Sequence, residues 1–98
     1  MKHFVVQSTY LVSAEKRDAV LAEHRAFLQV GYDHGMLLAS GPQEPRVGGM
    51  ILARAESRDA LESFFAGDPF HQQGIASYQF TEFHPVMHHP LLKEWIAS

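Results

Sequence analysis

The chain has 98 residues, 46% of them hydrophobic and 19% charged, and its formal net charge is −3 at pH 7. This composition is that of one small folded domain, residues 1–98, and excludes a disordered chain; the lack of cysteine excludes disulfides, thiolate catalysis and Cys-ligated zinc. The basic residues form no stripe that could follow a phosphate backbone, so we expect no nucleic acid partner. No apolar run approaches the roughly 18 residues of a membrane span, and the start of the chain lacks a signal-peptide core, so we expect a cytoplasmic protein that does not bind membranes.

The first half of the chain predicts a strand, a helix and a second strand. Residues 3–12 are rich in β-branched and aromatic side chains, which favours a strand. Ser13 is a good N-cap for a helix that runs to about His34, and Gly35 suits the left-handed position that ends a helix. The run 36–42 then reads as the second strand, stopped by Gly41 and Pro42.

The second half repeats the alternation of strands and helices. A third strand is predicted over 50–55, after an exposed loop, and Ser57 caps a second helix over 58–66. Asp68 and Pro69 are typical N-cap and N1 residues, which predicts a short helical turn through about Gln73. A fourth strand over 75–83 and a short amphipathic helix at 91–97 complete the chain.

The order β-α-β-β-α-β predicts a ferredoxin-like α+β fold. With right-handed crossovers it forms a four-stranded antiparallel sheet with both helices on one face. The other face should then be polar, yet strands one and three carry apolar residues on both of their alternating sides. On the side that should be polar, strand one carries Val5 and Leu11, and strand three carries Met50 and Leu52. We therefore expect a homodimer or higher homo-oligomer in which a second copy covers this face.

A histidine lies on the apolar side of the first predicted helix. On a helical wheel with Val20 at zero, His24 falls near about 40°, between Gly31 and Leu28, so its ring should point towards the sheet. Gly31 on the same stripe predicts a close approach or a cavity, because glycine lowers helix propensity by up to about 1 kcal/mol. His24 is then either a hydrogen-bonded core residue without further role or a proton carrier in a pocket.

Asp68 is the candidate partner of this histidine. A carboxylate beside an inward imidazole fixes its tautomer and balances the effect of burial, so that such a pair can take and return protons near neutral pH. Asp68 can equally serve only as the cap of the turn that Pro69 begins. The two roles are compatible because a carboxylate has two oxygens.

Other chemistry-bearing patterns are weak. The sequence contains no Walker or G-x-G-x-x-G loop, no H-E-x-x-H and no G-x-S-x-G, so we expect no cofactor and no nucleophilic serine. The tail histidines predict no metal site, because prolines interrupt them and no carboxylate accompanies them: His84, His88 and His89. Arg17 either reaches an anionic substrate or covers the sheet edge, and His71 is a second candidate contact for substrate, or a surface residue.

Three stretches together resemble the YciI-like (YCII-related) family. They are the helix run "AEHRAFLQVGYDHGMLLASGP", the segment "ESRDALESFFAGDPF" and the strand end "TEFHP". The resemblance implies a ferredoxin-like protomer in a dimeric α+β barrel and a catalytic His–Asp pair at His24 and Asp68. It also implies a shared pocket lined by Ser40, Gly41, Pro42 and Phe70.

The resemblance and the chemistry of an imidazole together suggest a function. Proton shuttling suffices where the substrate itself accommodates charge, as enols, quinols and lactones do. We expect a cofactor-independent lyase that eliminates HCl from a chlorinated hydroxyquinol, an activity known among relatives of the family. The alternatives are an isomerase of muconolactone type and a dimeric module that binds a small molecule without turnover.

Overall fold

The structure is a computed structural model that describes residues 1–98, and it confirms the ferredoxin-like α+β fold. Its strands are β1 (Lys2–Tyr10), β2 (Leu37–Pro42), β3 (Gly49–Ala55) and β4 (Ala76–Phe83). Its helices are α1 (Ala14–Asp18), α2 (Leu21–Asp33), α3 (Arg58–Phe65), α4 (Pro69–Gln72) and α5 (Lys93–Ala97), the last preceded by a 3₁₀ turn (Pro90–Leu92). None of these helices is long and apolar enough to span a bilayer.

All four strands form one antiparallel sheet in the order β2-β3-β1-β4. Phe4 pairs with Ala53, and Val6 pairs with Ile51 on one side and Phe80 on the other. Because side chains alternate across a strand, this register places the apolar members of the central strands on the helix-covered face. Thus β1 and β4, which are distant in sequence, lie side by side beneath the helices.

The core lies between the sheet and the helices in two adjoining clusters. The larger one is built by the sheet together with α2 and α3: Phe4, Val6, Leu28, Leu37, Ile51, Ala53, Ala55, Leu61 and Phe65. The smaller one joins the start of α2 to α4 and β4: Val20, Phe70, Ile75 and Ala76. The junction between the two clusters is where His24 enters from α2.

The first helix is divided, and the prediction of one continuous helix over 13–34 is wrong. Ser13 caps α1 as predicted, but the helix stops at Asp18 and resumes at Leu21. Val20 stands at the break with φ −111° and ψ −4°, and it packs into the smaller core cluster. No glycine or proline marks this position, so packing of Val20, and not a local breaker, sets the division.

Two glycines on this segment behave as predicted. Gly35 has φ +70°, the left-handed conformation that ends α2. A Cβ on buried Gly31 would lie 2.8 Å from the Leu37 side chain and 3.0 Å from Phe64. Glycine therefore lets α2 approach β2 closely, which explains its presence on the apolar stripe.

The C-terminal segment packs against the sheet face opposite the helices. Arg54 of β3 lies over the Trp95 ring, with 4.0 Å from its Cζ to the ring centroid, and its guanidinium donates to the Trp95 carbonyl at 2.9 Å. Trp95 thus anchors the tail to its own domain. The tail covers His3, which is buried, whereas Met50 and Leu52 on the same face remain more than a third exposed.

Candidate active site

His24 points from α2 towards the sheet, as the helical wheel predicts. Its side chain is 13% exposed, and its Nδ1 lies 2.9 Å from Oδ1 and 3.1 Å from Oδ2 of Asp68. The imidazole ring lies flat on Phe70, with ring centroids 3.9 Å apart and an interplanar angle of 5°. Two contacts in different directions, one polar and one aromatic, therefore hold the ring in a single orientation.

Asp68 is both the partner of His24 and the cap of α4. Its side chain is completely buried. Oδ1 accepts the backbone N–H of Phe70 at 2.9 Å, which is the N-cap bond, and Oδ2 accepts the hydroxyl of Tyr78. With His24 this makes three donors around one carboxylate, which compensates for its removal from water.

Tyr78 is a site residue that the sequence reasoning missed. Burial, and then its hydrogen bond to Asp68, raise the pKa of the Tyr78 hydroxyl above its ordinary value, so this group stays protonated and donates. The alternation in the sequence of β4 could have identified this residue. It places Ala76, Tyr78 and Phe80 on the helix-facing side, and a buried tyrosine requires a partner for its hydroxyl. Which partner it finds depends on how β4 and α4 pack.

A cavity of about 240 Å³ opens beside His24. The structure brings six of the sequence-predicted residues to its wall: Arg17, His24, Ser40, Gly41, Pro42 and Phe70. Tyr78 also lines it, whereas Asp68 lies behind His24, out of the cavity. Nε2 of His24 makes no hydrogen bond within the chain, so it is the ring nitrogen left for a ligand.

His71 does not belong to this group, and its prediction as a substrate contact is not supported. It is exposed on α4 and lines a different, more open cavity that includes Glu62 and Gly74. The reason is helical geometry, since Phe70 takes the inward position and the next residue is turned by about 100°. Proximity in sequence to Phe70 was a poor guide to proximity in space.

Three arginines line the cavity, although the sequence singled out only Arg17. The Arg17 guanidinium lies 4.1 Å from the centroid of the Tyr10 ring. Arg25 comes from α2 one residue after His24, and Arg46 comes from the loop between β2 and β3. Asp18 is the single carboxylate residue among the lining residues.

The chain has no group of three or more His, Asp or Glu side chains that could hold a metal ion, either in this cavity or outside it.

The comparisons with known proteins agree with this fold. The chain has no match among curated proteins. It is similar in structure to the 5-chloro-2-hydroxyhydroquinone dehydrochlorinase of Burkholderia phenoliruptrix AC1100, solved in complex with 2,5-dihydroxybenzoquinone. The TM-score is 0.70 at 22% sequence identity, covering 85% of this chain and 93% of the other. The model of the YCII-related domain matches residues 1–84, and the chain therefore belongs to the YCII-related domain family.

Proposed function

We propose that the chain is a cofactor-independent enzyme that eliminates HCl from a chlorinated hydroxyquinol, with His24 as the proton carrier. The observation that carries the proposal is the hydrogen bond of His24 to buried Asp68 at the wall of a cavity of about 240 Å³. A fixed imidazole at the wall of a cavity is suited to general acid–base catalysis. Family membership and the likeness to a dehydrochlorinase support this reaction class.

The proposed roles of the two ring nitrogens rest on the contact with Asp68. We assign the proton to Nδ1, which donates it to the carboxylate, so that Nε2 holds the free electron pair and acts as the base. Asp68 is a positioning residue, because it contacts His24 and is absent from the cavity wall. Tyr78 is a second positioning residue that acts through the Asp68 carboxylate.

The proposed reaction balances without an added oxidant or reductant. A proton first moves from a ring hydroxyl to the carbon that carries chlorine, which gives a keto tautomer. Nε2 of His24 then removes the proton of a second ring hydroxyl. The oxygen of that hydroxyl forms a C=O bond, a ring double bond shifts, and the C–Cl bond breaks. The products are a hydroxybenzoquinone, chloride and a proton, and chloride leaves without a general acid.

The cavity suits a flat substrate of one ring. Its volume is below the roughly 300–1,000 Å³ of sites for drug-sized ligands. Phe70 and Tyr78 supply aromatic wall, and we propose Ser40, Gly41 and Pro42 as contacts for the ring substituents. The quinone bound by the structural neighbour is a ligand of this size and shape.

Chloride release tests the proposal. The purified chain is incubated anaerobically with 5-chloro-2-hydroxyhydroquinone, and both chloride and quinone absorbance are followed. We expect turnover by the wild type and a loss of about 10²–10⁴-fold in His24→Gln, the range that general base catalysis supplies. Binding of 2,5-dihydroxybenzoquinone should persist in that variant.

His71→Gln is the matched control, since it removes an exposed histidine outside the cavity and should turn over as the wild type does. Equal turnover by His24→Gln and the wild type contradicts the assignment. Binding of the quinone by the wild type without turnover supports instead a binding module, for which the stacking of His24 on Phe70 already provides a platform. Consumption of muconolactone without chloride release supports the isomerase.

We also propose that the working form is a homodimer in the cytoplasm. Partial exposure of Met50, Leu52 and Phe83 on the sheet face opposite the helices supports the dimer. The cytoplasmic location rests on the composition and stays a prediction.

A further inference from the structure

The cavity beside His24 has an unusual charge for this chain. The protein carries a formal net charge of −3 and contains five arginines in all. Three of the five line this one cavity, namely Arg17, Arg25 and Arg46, and Asp18 is the single carboxylate residue among the lining residues. Positive charge is therefore concentrated at one small concave site of an otherwise acidic molecule.

The guanidinium groups of Arg17 and Arg25 form no ion pair and no hydrogen bond within the chain. The three ion pairs of the chain are His24 with Asp68, Arg46 with Glu44 and Arg58 with Glu62. The Arg46 pair is long, at 3.9 Å, and solvent-exposed, so it holds that side chain weakly. The guanidinium groups of Arg17 and Arg25 thus keep their N–H donors free for an acceptor from outside the chain.

Arg17 is nevertheless held in place. Its guanidinium lies over the Tyr10 ring at 4.1 Å, and the residue is partly buried. Stacking on an aromatic face leaves the N–H edge of a guanidinium available, and this edge matches a carboxylate in a bidentate manner. A partly desolvated arginine without a protein partner is a candidate anion contact.

The loop that carries Arg46 is fixed to β1. Tyr10 N–H donates to the Val47 carbonyl at 2.9 Å, and Gly49 N–H donates to Ser8 Oγ at 2.8 Å. At Gly48 a Cβ would lie 1.7 Å from the Ser8 carbonyl oxygen, so only glycine permits this approach. Three separate segments, α1, α2 and this anchored loop, therefore bring cations to one cavity.

We propose that the substrate of this site is anionic, a chlorinated hydroxyquinol whose ring also bears a carboxylate, which Arg17 and Arg25 bind while the ring reaches His24. The inference rests on the proposed function for the role of His24 and names the substrate class of that site. Arg46 contributes to the field at the cavity mouth, which raises the local concentration of anions. A hydroxyquinol without a carboxylate would still reach His24, but it would leave these guanidinium groups without an acceptor.

Binding of two matched probes tests the proposal. The probes are 2,5-dihydroxybenzoate and its uncharged analogue 2,5-dihydroxybenzamide, measured by calorimetry or by NMR titration at low salt. We expect the carboxylate to bind about tenfold or more tightly, the preference that a charge-assisted hydrogen bond supplies. Arg17→Gln and Arg25→Gln should each reduce this ratio towards one without changing the affinity for the amide.

Arg58→Gln is the control, because Arg58 is an exposed arginine on α3 outside the cavity, and it should keep the preference. Arg25→Gln is expected to fold normally, because Arg25 is exposed and makes no contact that the fold needs. It therefore keeps the test informative if Arg17→Gln is unstable. Equal affinity for both probes, failure of the carboxylate to bind at millimolar concentration, or an unchanged ratio in both arginine variants overturns the proposal. His24→Gln should keep the carboxylate preference, so loss of turnover and loss of anion binding are separable.

Discussion

Asp68 is a completely buried carboxylate, and its three donors explain why the fold tolerates it. Two of them, the Phe70 N–H and the Tyr78 hydroxyl, come from the protein scaffold, and the third is the imidazole that we propose to be catalytic. A buried charge without partners would be strongly destabilising. The stability of this region and the orientation of His24 therefore depend on the same carboxylate.

Tyr78→Phe removes one of these donors while keeping the ring. The charge of Asp68 is then less compensated, and the carboxylate loses one of the bonds that hold it against His24. We expect turnover to fall while binding of 2,5-dihydroxybenzoquinone persists, and unfolding to become easier by about 1.5–3 kcal/mol, the value of a hydrogen bond to a charged group. Turnover rates and urea denaturation measure the two effects.

Tyr32→Phe is the matched control. It removes a tyrosine hydroxyl whose bond is to Ser40 Oγ, at 2.6 Å, and not to Asp68. Unfolding should become easier by less than in Tyr78→Phe, because this exposed bond involves no charged group. Wild-type turnover and stability in Tyr78→Phe would mean that Tyr78 only fills space.

His3 predicts a pH dependence of stability. Burial lowers the pKa of His3 below its ordinary value, with the N-terminal amine and Arg54 acting in the same direction and the Ile96 carbonyl opposing them. The unfolded chain then binds the proton more readily than the folded one, so His3 stabilises the fold above about pH 6.5 and this contribution is lost as pH falls below it.

The measurement is the urea midpoint between about pH 7.5 and pH 5.5. His3→Gln should show a smaller decrease over this range than the wild type. His84→Gln, at an exposed position, should reproduce the decrease of the wild type. An equal decrease in His3→Gln and the wild type would assign the effect to other groups.

At the scale of elements, the contact of α2 with β2 determines how far His24 reaches towards the sheet. Gly31 lies two turns after His24 on the same stripe, where even a methyl group would meet the Leu37 side chain at 2.8 Å. Leu37 is a core residue with 3% exposure, so it has little room to move. The glycine thus keeps the helix at the distance that the His24–Asp68 bond requires.

Gly31→Ala should therefore destabilise the fold, although alanine is the better helix former. Overpacking of this kind costs about 1–3 kcal/mol, against a gain of up to about 1 kcal/mol in helix propensity. We expect a net loss of about 1–2 kcal/mol, seen as a decrease of roughly 4–15 °C in Tm. Gly67→Ala, whose Cβ would make ordinary contact at 3.4 Å, should change Tm little.

Much of this architecture was predictable from local patterns. The six elements of the β-α-β-β-α-β order follow from alternation, periodicity and caps, apart from the break in the first helix, and the Ser13, Ser57 and Asp68 caps all form as expected. The break at Val20 was not predictable, because neither a glycine nor a proline announces it. It results from packing against residues 50 or more positions later in the chain.

At the scale of the whole molecule, the sheet has one face covered by helices and one covered only in part, by the tail. Leu52 is 39% exposed and Phe83 is 43% exposed on that second face, and Val86 and Met87 in the tail are almost fully exposed. Isolated exposed apolar residues are common, but a set of them on one sheet face and its adjoining tail favours a protein partner.

We expect a homodimer with the two sheets facing each other. Leu52→Lys places a charge in the centre of this face and should yield a monomer that keeps its fold, measured by sedimentation velocity and circular dichroism. Val30→Lys is the control, since Val30 is equally exposed on α2, on the opposite side of the sheet. A wild type that is monomeric at micromolar concentration would refute the dimer.

The sequence alone determined what depends on near neighbours in the chain. The order of elements, the inward direction of His24 and the cap at Asp68 all follow from spacings of one to four residues. The tertiary structure decided which side chains meet: His24 and Asp68 are 44 residues apart, and the donation from Tyr78 and the convergence of three arginines also join separate elements. Local propensity acts within a turn or a strand, whereas these contacts exist only because packing the apolar faces brings α2, α4 and β4 together.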